Sequence, residues 1–298
     1  MDSYPRAGLV FDVRDEGPAD GRPVVLLHGF PQDNSCWDAV VPALHAAGLR
    51  TLAPNQRGYG GHADPRKRSA YRMPDLVADV LALLDAAGLD RAHLVGHDWG
   101  GAVAWMAATA HPERFATLTV LSTPHPQALA WAMTHTDQVL RSWYMTAFQL
   151  PVLPERLLAP RMREVLRRSG LPEEYADRYA ARFARPESLT GPIGWYRAMP
   201  PPTLGLRKNL RRVLSGLRGA VPAGSRDHRP DPKRLVRVPT TYLWGRDDPA
   251  LGRAAAERTG DYVPGDYRFV ELAAGHWLPE TVPARVAAEI VDRVRRSH

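Results

Sequence analysis

A chain of 298 residues with 44% hydrophobic content suits one large α/β domain, or a core carrying an inserted subdomain. The single cysteine, Cys36, excludes an internal disulfide, the start Met1-Asp2-Ser3-Tyr4-Pro5-Arg6 lacks an apolar signal core, and no run approaches the ~18–20 apolar residues of a membrane span; a cytoplasmic protein with no membrane partner is expected. The net charge of +7 is local, because Arg207 to Arg237 holds ten Arg/Lys against two Asp, a net of +8, and without interleaved aromatics this reads as arginine-rich surface, not as a nucleic-acid site.

Short apolar runs at Leu9–Val13, Val24–Leu27, Arg50–Ala53, His93–Val95, Leu118–Leu121, Thr240–Trp244 and Arg268–Leu272 are predicted strands. Helical periodicity is clearest over Met73–Ala87, Gly101–Ala110 and Val282–Val294. This alternation predicts an α/β fold with a mainly parallel sheet covered on both faces, and places active residues in loops at the carboxyl ends of strands. Between about His125 and Val236 the alternation stops, and proline-broken helical segments rich in Trp, Tyr, Met and Arg take over. Residues 125–236 are expected to form a helical cap, ending in a basic, poorly structured link near Ala220–Asp231, inserted into a core of residues 1–124 and 237–298.

Gly96-His97-Asp98-Trp99-Gly100 lies between a predicted strand and a predicted helix. Small-x-nucleophile-x-small at such a junction is the pattern of a tight turn that lifts one side chain clear of the sheet. A serine there would indicate acyl transfer. A carboxylate instead displaces a leaving group at a saturated carbon and forms an alkyl-ester intermediate. The competing reading of Asp98, a helix N-cap, is weakened by the flanking glycines and by the partners below. The loop His28-Gly29-Phe30-Pro31 follows a predicted strand and can aim a backbone N–H, that of Phe30, at the site. With the N–H of Trp99 it would form an oxyanion hole.

Among eleven histidines, His276 alone follows the last predicted strand and precedes the final helix, so it is the expected base. His28 and His97 are expected to bond within their own turns. Asp247 and Asp248 both end the strand before, and Asp248 is preferred as the acid that orients His276; a carboxylate on one ring nitrogen leaves the other free to take a proton. Ser122-Thr123-Pro124, after the preceding strand, offers no acid.

His28–Pro31, Gly96–Gly101, Trp244–Asp248 and Gly275-His276-Trp277 resemble the α/β-hydrolase superfamily and, within it, the soluble epoxide hydrolases. Arg57-Gly58-Tyr59-Gly60 and His111-Pro112-Glu113-Arg114 fit the same superfamily, so the resemblance spans nearly the whole chain. It implies the α/β-hydrolase fold. Ser142-Trp143-Tyr144 with Phe148-Gln149-Leu150-Pro151, and Gly194-Trp195-Tyr196-Arg197, resemble the regions holding the two epoxide-activating tyrosines, which places them at Tyr144 and Tyr196. Asn55-Gln56 depart from the acidic residue common before Arg-Gly-Tyr-Gly, and His62 stands where a small hydroxyl residue is usual.

The resemblance implies an epoxide hydrolase acting on a small-molecule epoxide and water, with Asp98, His276, Asp248, Tyr144 and Tyr196 at the reaction and no metal or organic cofactor. Trp143, Phe148, Leu150 and Trp195 are expected to shape an apolar pocket. A phenol, with an ordinary pKa of about 10, is a suitable proton donor to the alkoxide that epoxide opening creates. A haloalkane or haloacid dehalogenase with the same aspartate is the alternative, Trp99 then offering an indole N–H to halide. A non-catalytic ligand-binding protein of the same fold would be expected to lack part of the catalytic set. Monomer and homodimer remain open.

Overall fold

The computed structural model describes residues 1–60, 62–199 and 231–297. Apart from Asp231, the expected link near Ala220–Asp231 lies outside the described residues, as does most of the basic stretch. Eight strands, β1 (Ser3–Arg6), β2 (Leu9–Glu16), β3 (Arg22–Leu27), β4 (Leu49–Pro54), β5 (Ala92–His97), β6 (Phe115–Leu121), β7 (Thr240–Gly245) and β8 (Tyr267–Leu272), form one sheet. Their order is β1-β2-β4-β3-β5-β6-β7-β8. The β1–β2 and β2–β4 pairs are antiparallel and every later pair is parallel.

Every residue of β5 is buried, as expected for a central parallel strand covered on both faces. The helix Met73–Ala86 supplies part of that cover through Leu76, Val80, Leu83 and Leu84. Pro283–Arg295 places Val286, Ile290 and Val294 four residues apart on one buried stripe. Each such side chain contributes about 1.5–3 kcal/mol by leaving water. Strand β1 carries no apolar run and escapes sequence patterning; Tyr4 anchors it, its ring stacked 5.0 Å from Phe11 on β2, and Arg6 ties it to Asp79 at 2.6 Å.

Strand β3 has β4 on one side and β5 on the other, so the chain leaves β3 and β5 in opposite directions. The crevice beyond their carboxyl ends is where such sheets bind ligands. The loops carrying Phe30 and Asp98 meet there. Between β6 and β7 the described residues form helices at Pro126–His135, Gln138–Arg141, Trp143–Ala147, Leu153–Leu158, Met162–Arg168, Glu173–Arg182 and Thr190–Ala198. Tyr179, Phe183, Ile193 and Trp195 are buried within this helical insertion and against the sheet domain. Among the described residues no helix is long and apolar enough to cross a membrane.

Candidate active site

Asp98 joins β5 to the helix Trp99–Ala110 with φ 51° and ψ −119°. A non-glycine residue in such a conformation costs about 1–3 kcal/mol and is held only by its surroundings. Here the Asp98 carbonyl accepts from Thr123 Oγ1 at 2.7 Å, and the loop after β3 packs directly on the turn. A Cβ on Gly100 would fall 2.2 Å from the Leu27 carbonyl oxygen, and one on Gly29 would fall 2.4 Å from Asp98 Cβ. Only glycines permit that approach. It lets the Phe30 N–H donate to Asp98 Oδ1 at 2.8 Å. Trp99, the first residue of the helix, has a backbone N–H with no acceptor inside the helix, as at any helix start.

Asp98 Oδ2 lies 3.5 Å from His276 Nε2, and His276 Nδ1 lies 2.7 Å from Asp248 Oδ2. Asp248 is buried, its other oxygen accepting the N–H groups of Ala250 and Leu251 at 2.8 and 2.9 Å. Asp247 points outward beside Arg246 with its side chain 67% exposed. Burial opposes a charge on His276, but Asp248 and then Asp98 outweigh it and hold the imidazole well above its ordinary pKa. Burial likewise opposes ionisation of Asp98, yet His276 and the Phe30 N–H hold its carboxyl below the usual range. Both shifts favour the imidazolium–carboxylate form of the pair.

Several supporting groups have no local signature in the chain. Ser122 Oγ donates to the His276 carbonyl at 2.7 Å, so the segment that supplies no acid supplies two hydroxyls, Ser122 and Thr123, that brace His276 and Asp98. His97 does not stay within its own turn: its ring nitrogens lie 2.8 Å from Gln32 Oε1 and 2.9 Å from the His276 carbonyl. His28 bonds locally to the Gly29 carbonyl but also accepts the Gln56 N–H at 3.0 Å, which gives Gln56 its partner before Arg57. Gln32 Oε1 also accepts the Gly29 N–H at 2.8 Å, and Gln32 Nε2 donates to the buried Glu280 at 2.6 Å.

Tyr144 and Tyr196 arrive from two helices of the insertion, their ring centroids 6.0 Å apart. Burial raises both phenol pKa values, and the Asp98 charge raises them further, so both hydroxyls stay protonated at neutral pH. Phe148 packs edge-on to Phe30, Tyr144 and Tyr196 at 5.6, 5.8 and 4.9 Å. The other expected pocket residues lie elsewhere. Trp143 is 68% exposed, because Tyr144 and Phe148, four residues apart, take the inward face of that short helix. Leu150 follows the helix end and is 50% exposed. Trp195 is buried under the site as packing, its indole donating to the Arg57 carbonyl at 2.8 Å and its ring 5.5 Å from Trp99.

A family model described as alpha/beta hydrolase fold matches residues 22–283. The chain is 32% identical over 297 residues to the AB hydrolase superfamily protein YfhM of Bacillus subtilis, covering 97% of this chain and 95% of that one. It is 32% identical over 321 residues to epoxide hydrolase A of Mycobacterium tuberculosis, with 93% and 92% covered. The crystal structure of epoxide hydrolase A from Mycobacterium thermoresistibile superposes with a TM-score of 0.74 at 29% identity, covering 99% of this chain and 98% of that one. The chain belongs to the alpha/beta hydrolase fold family, within its epoxide hydrolase branch.

Proposed function

We propose that the protein hydrolyses a small epoxide to a vicinal diol through a hydroxyalkyl ester on Asp98, residues 125–236 acting as the cap over the site. The observation that carries the choice of substrate is the pair of phenols, half-buried Tyr144 and buried Tyr196, with ring centroids 6.0 Å apart and close enough to Asp98 for its charge to raise both pKa values. Asp98 Oδ1 already accepts the Phe30 N–H, so Oδ2 is the attacking atom. As Oδ2 bonds to a ring carbon, the ring C–O bond breaks and the oxygen takes a phenolic proton. The ester is neutral, so His276 loses one of the two charges that held its proton. That proton restores the phenol and leaves a neutral base.

Hydrolysis reverses these charges. His276, oriented by Asp248, takes a proton from water, and the hydroxide attacks the ester carbonyl carbon. Oδ1 becomes the tetrahedral oxyanion where it already sits, with the Phe30 and Trp99 N–H groups as its donors. Collapse breaks the alkyl-oxygen bond to the carbonyl carbon. The hydroxide's remaining proton passes to the departing diol, restoring carboxylate and imidazolium.

A single turnover with enzyme in excess in ¹⁸O-labelled water, run with styrene oxide and in parallel with 1-bromobutane, tests this reading. The first diol is expected to carry oxygen from Asp98, with label appearing in Asp98 afterwards. Label passing straight from water into the first diol would refute the covalent route, and halide release without diol formation would favour a dehalogenase. Replacing both Tyr144 and Tyr196 by Phe is expected to abolish ester formation from the epoxide. Undiminished turnover would remove the basis for assigning an epoxide.

A further inference from the structure

Two phenols can serve one oxygen only if the helices bearing them keep a fixed spacing. Tyr144 lies in the five-residue helix Trp143–Ala147, too short to hold its own position, and Tyr196 lies near the end of Thr190–Ala198. The residue after Tyr196 spans the two. Arg197 Nε donates to the Phe148 carbonyl at 3.0 Å and Nη2 to the Leu150 carbonyl at 2.5 Å. Its Nη1 and Nη2 also form a two-pronged pair with Glu155 Oε1 and Oε2 at 2.6 and 2.9 Å. The Glu155 side chain is 5% exposed and that of Arg197 15%. A bond runs the other way too, from Gln149 Nε2 to the Tyr196 carbonyl at 2.8 Å.

We propose that Arg197, held in place by Glu155, is a positioning residue for epoxide opening that locks the Tyr196 helix to the turn carrying Tyr144 and Phe148. The proposal rests on the epoxide reading above. The guanidinium is suited to this because its planar fork offers five donors, four of them used here on two carbonyls and one carboxylate. The Phe148 and Leu150 carbonyls, at and just beyond a helix end, need such outside donors. Lysine keeps the charge but cannot reproduce the fork. Asp98, Asp248 and His276 stand on the sheet's own loops, so ester hydrolysis draws on those loops alone, whereas ester formation needs the phenols of the insertion as well.

The test measures both half-reactions in single turnovers with styrene oxide, for Arg197→Lys and Glu155→Gln in the wild-type and Tyr196→Phe backgrounds. With the wild-type tyrosine, each variant is expected to slow ester formation by about 10- to 100-fold, the scale of an ångström of misplacement. Ester hydrolysis is expected to stay within about twofold, since its groups are untouched. In the Tyr196→Phe background Arg197→Lys is expected to add little, because the phenol it positions is gone. Unchanged ester formation, equal slowing of both steps, or a full additional loss in the Tyr196→Phe background would each overturn the proposal. If Arg197→Lys does not accumulate folded, Gln149→Leu, which removes the return bond together with longer contacts to Arg68 and the Met145 carbonyl, asks the same question of the same two rates. A wild-type protein that forms neither ester nor diol would instead refute the epoxide reading.

Discussion

Glu280 is a carboxyl group enclosed by the fold, and replacing it by glutamine is expected to stabilise the protein in a pH-dependent way. Oε1 accepts from Gln32 Nε2 at 2.6 Å and from the Tyr179 hydroxyl at 2.9 Å, while Oε2 is buried with no hydrogen-bond partner among the described residues. Burial pushes the carboxyl pKa from 4.5 up to about 7, against the smaller opposing effects of Gln32, Tyr179 and His276. Below pH 4.5 both folded and unfolded chains hold the proton and the group contributes nothing. As pH rises from there to about 7, the unfolded chain ionises freely while the folded chain cannot, so stability falls. Above that range the penalty is complete. At about 1.36 kcal/mol per decade the displacement corresponds to about 3 kcal/mol.

Glutamine at 280 keeps an oxygen for both donors and does not titrate. Urea unfolding of wild type and Glu280→Gln at pH 5, 6, 7 and 8 measures the gap directly. The variant is expected to exceed wild type by only about 1 kcal/mol at pH 5 and by about 3 kcal/mol at pH 8, with unchanged m-value. A gap that does not vary with pH, or a variant less stable than wild type at pH 8, would show that the carboxylate is solvated or paired where it stands and refute the reasoning.

Three further perturbations address the site. Asp98→Asn removes one of the two carboxylates holding the His276 proton, so the imidazole pKa, followed by NMR titration, is expected to fall from its raised wild-type value; no change would break the link between ester formation and release of the base. Asp248→Asn keeps the shape but not the charge or tautomer control, and diol formation is expected to drop by about 10⁴-fold with ester accumulating on Asp98; loss of ester formation to the same extent would contradict the division of labour. Gly29→Ala drives a methyl into Asp98 Cβ, 2.4 Å away in the unrelaxed geometry. Ester formation is expected to fall by about 100-fold in a folded protein, and wild-type rates would show that the loop yields at no cost.

The elbow was legible because its requirements are local. A strand, a glycine on either side and a helix start within a few residues, and together they identify Asp98 as the displayed side chain. The order of the loops carrying Phe30 and His276 is likewise written along the chain. Choosing between Asp247 and Asp248 already needs three dimensions, since the turn that buries Asp248 is recognisable only through the Ala250 and Leu251 amides its carboxylate accepts. Apolarity alone misplaced Trp143 and Leu150, because a five-residue helix has an inward face set by what packs on it, and Tyr144 and Phe148 take that face. Gln32 and Glu280 are separated by 248 positions, and neither sits in a pattern that names the other. The same holds for Arg197 and Glu155, which belong to different helices of the insertion. The segments bearing Asp98, His276 and Asp248 are thus readable as turns, whereas the groups that set their spacing and charge are pairings between distant segments, and those become visible only once the chain is folded.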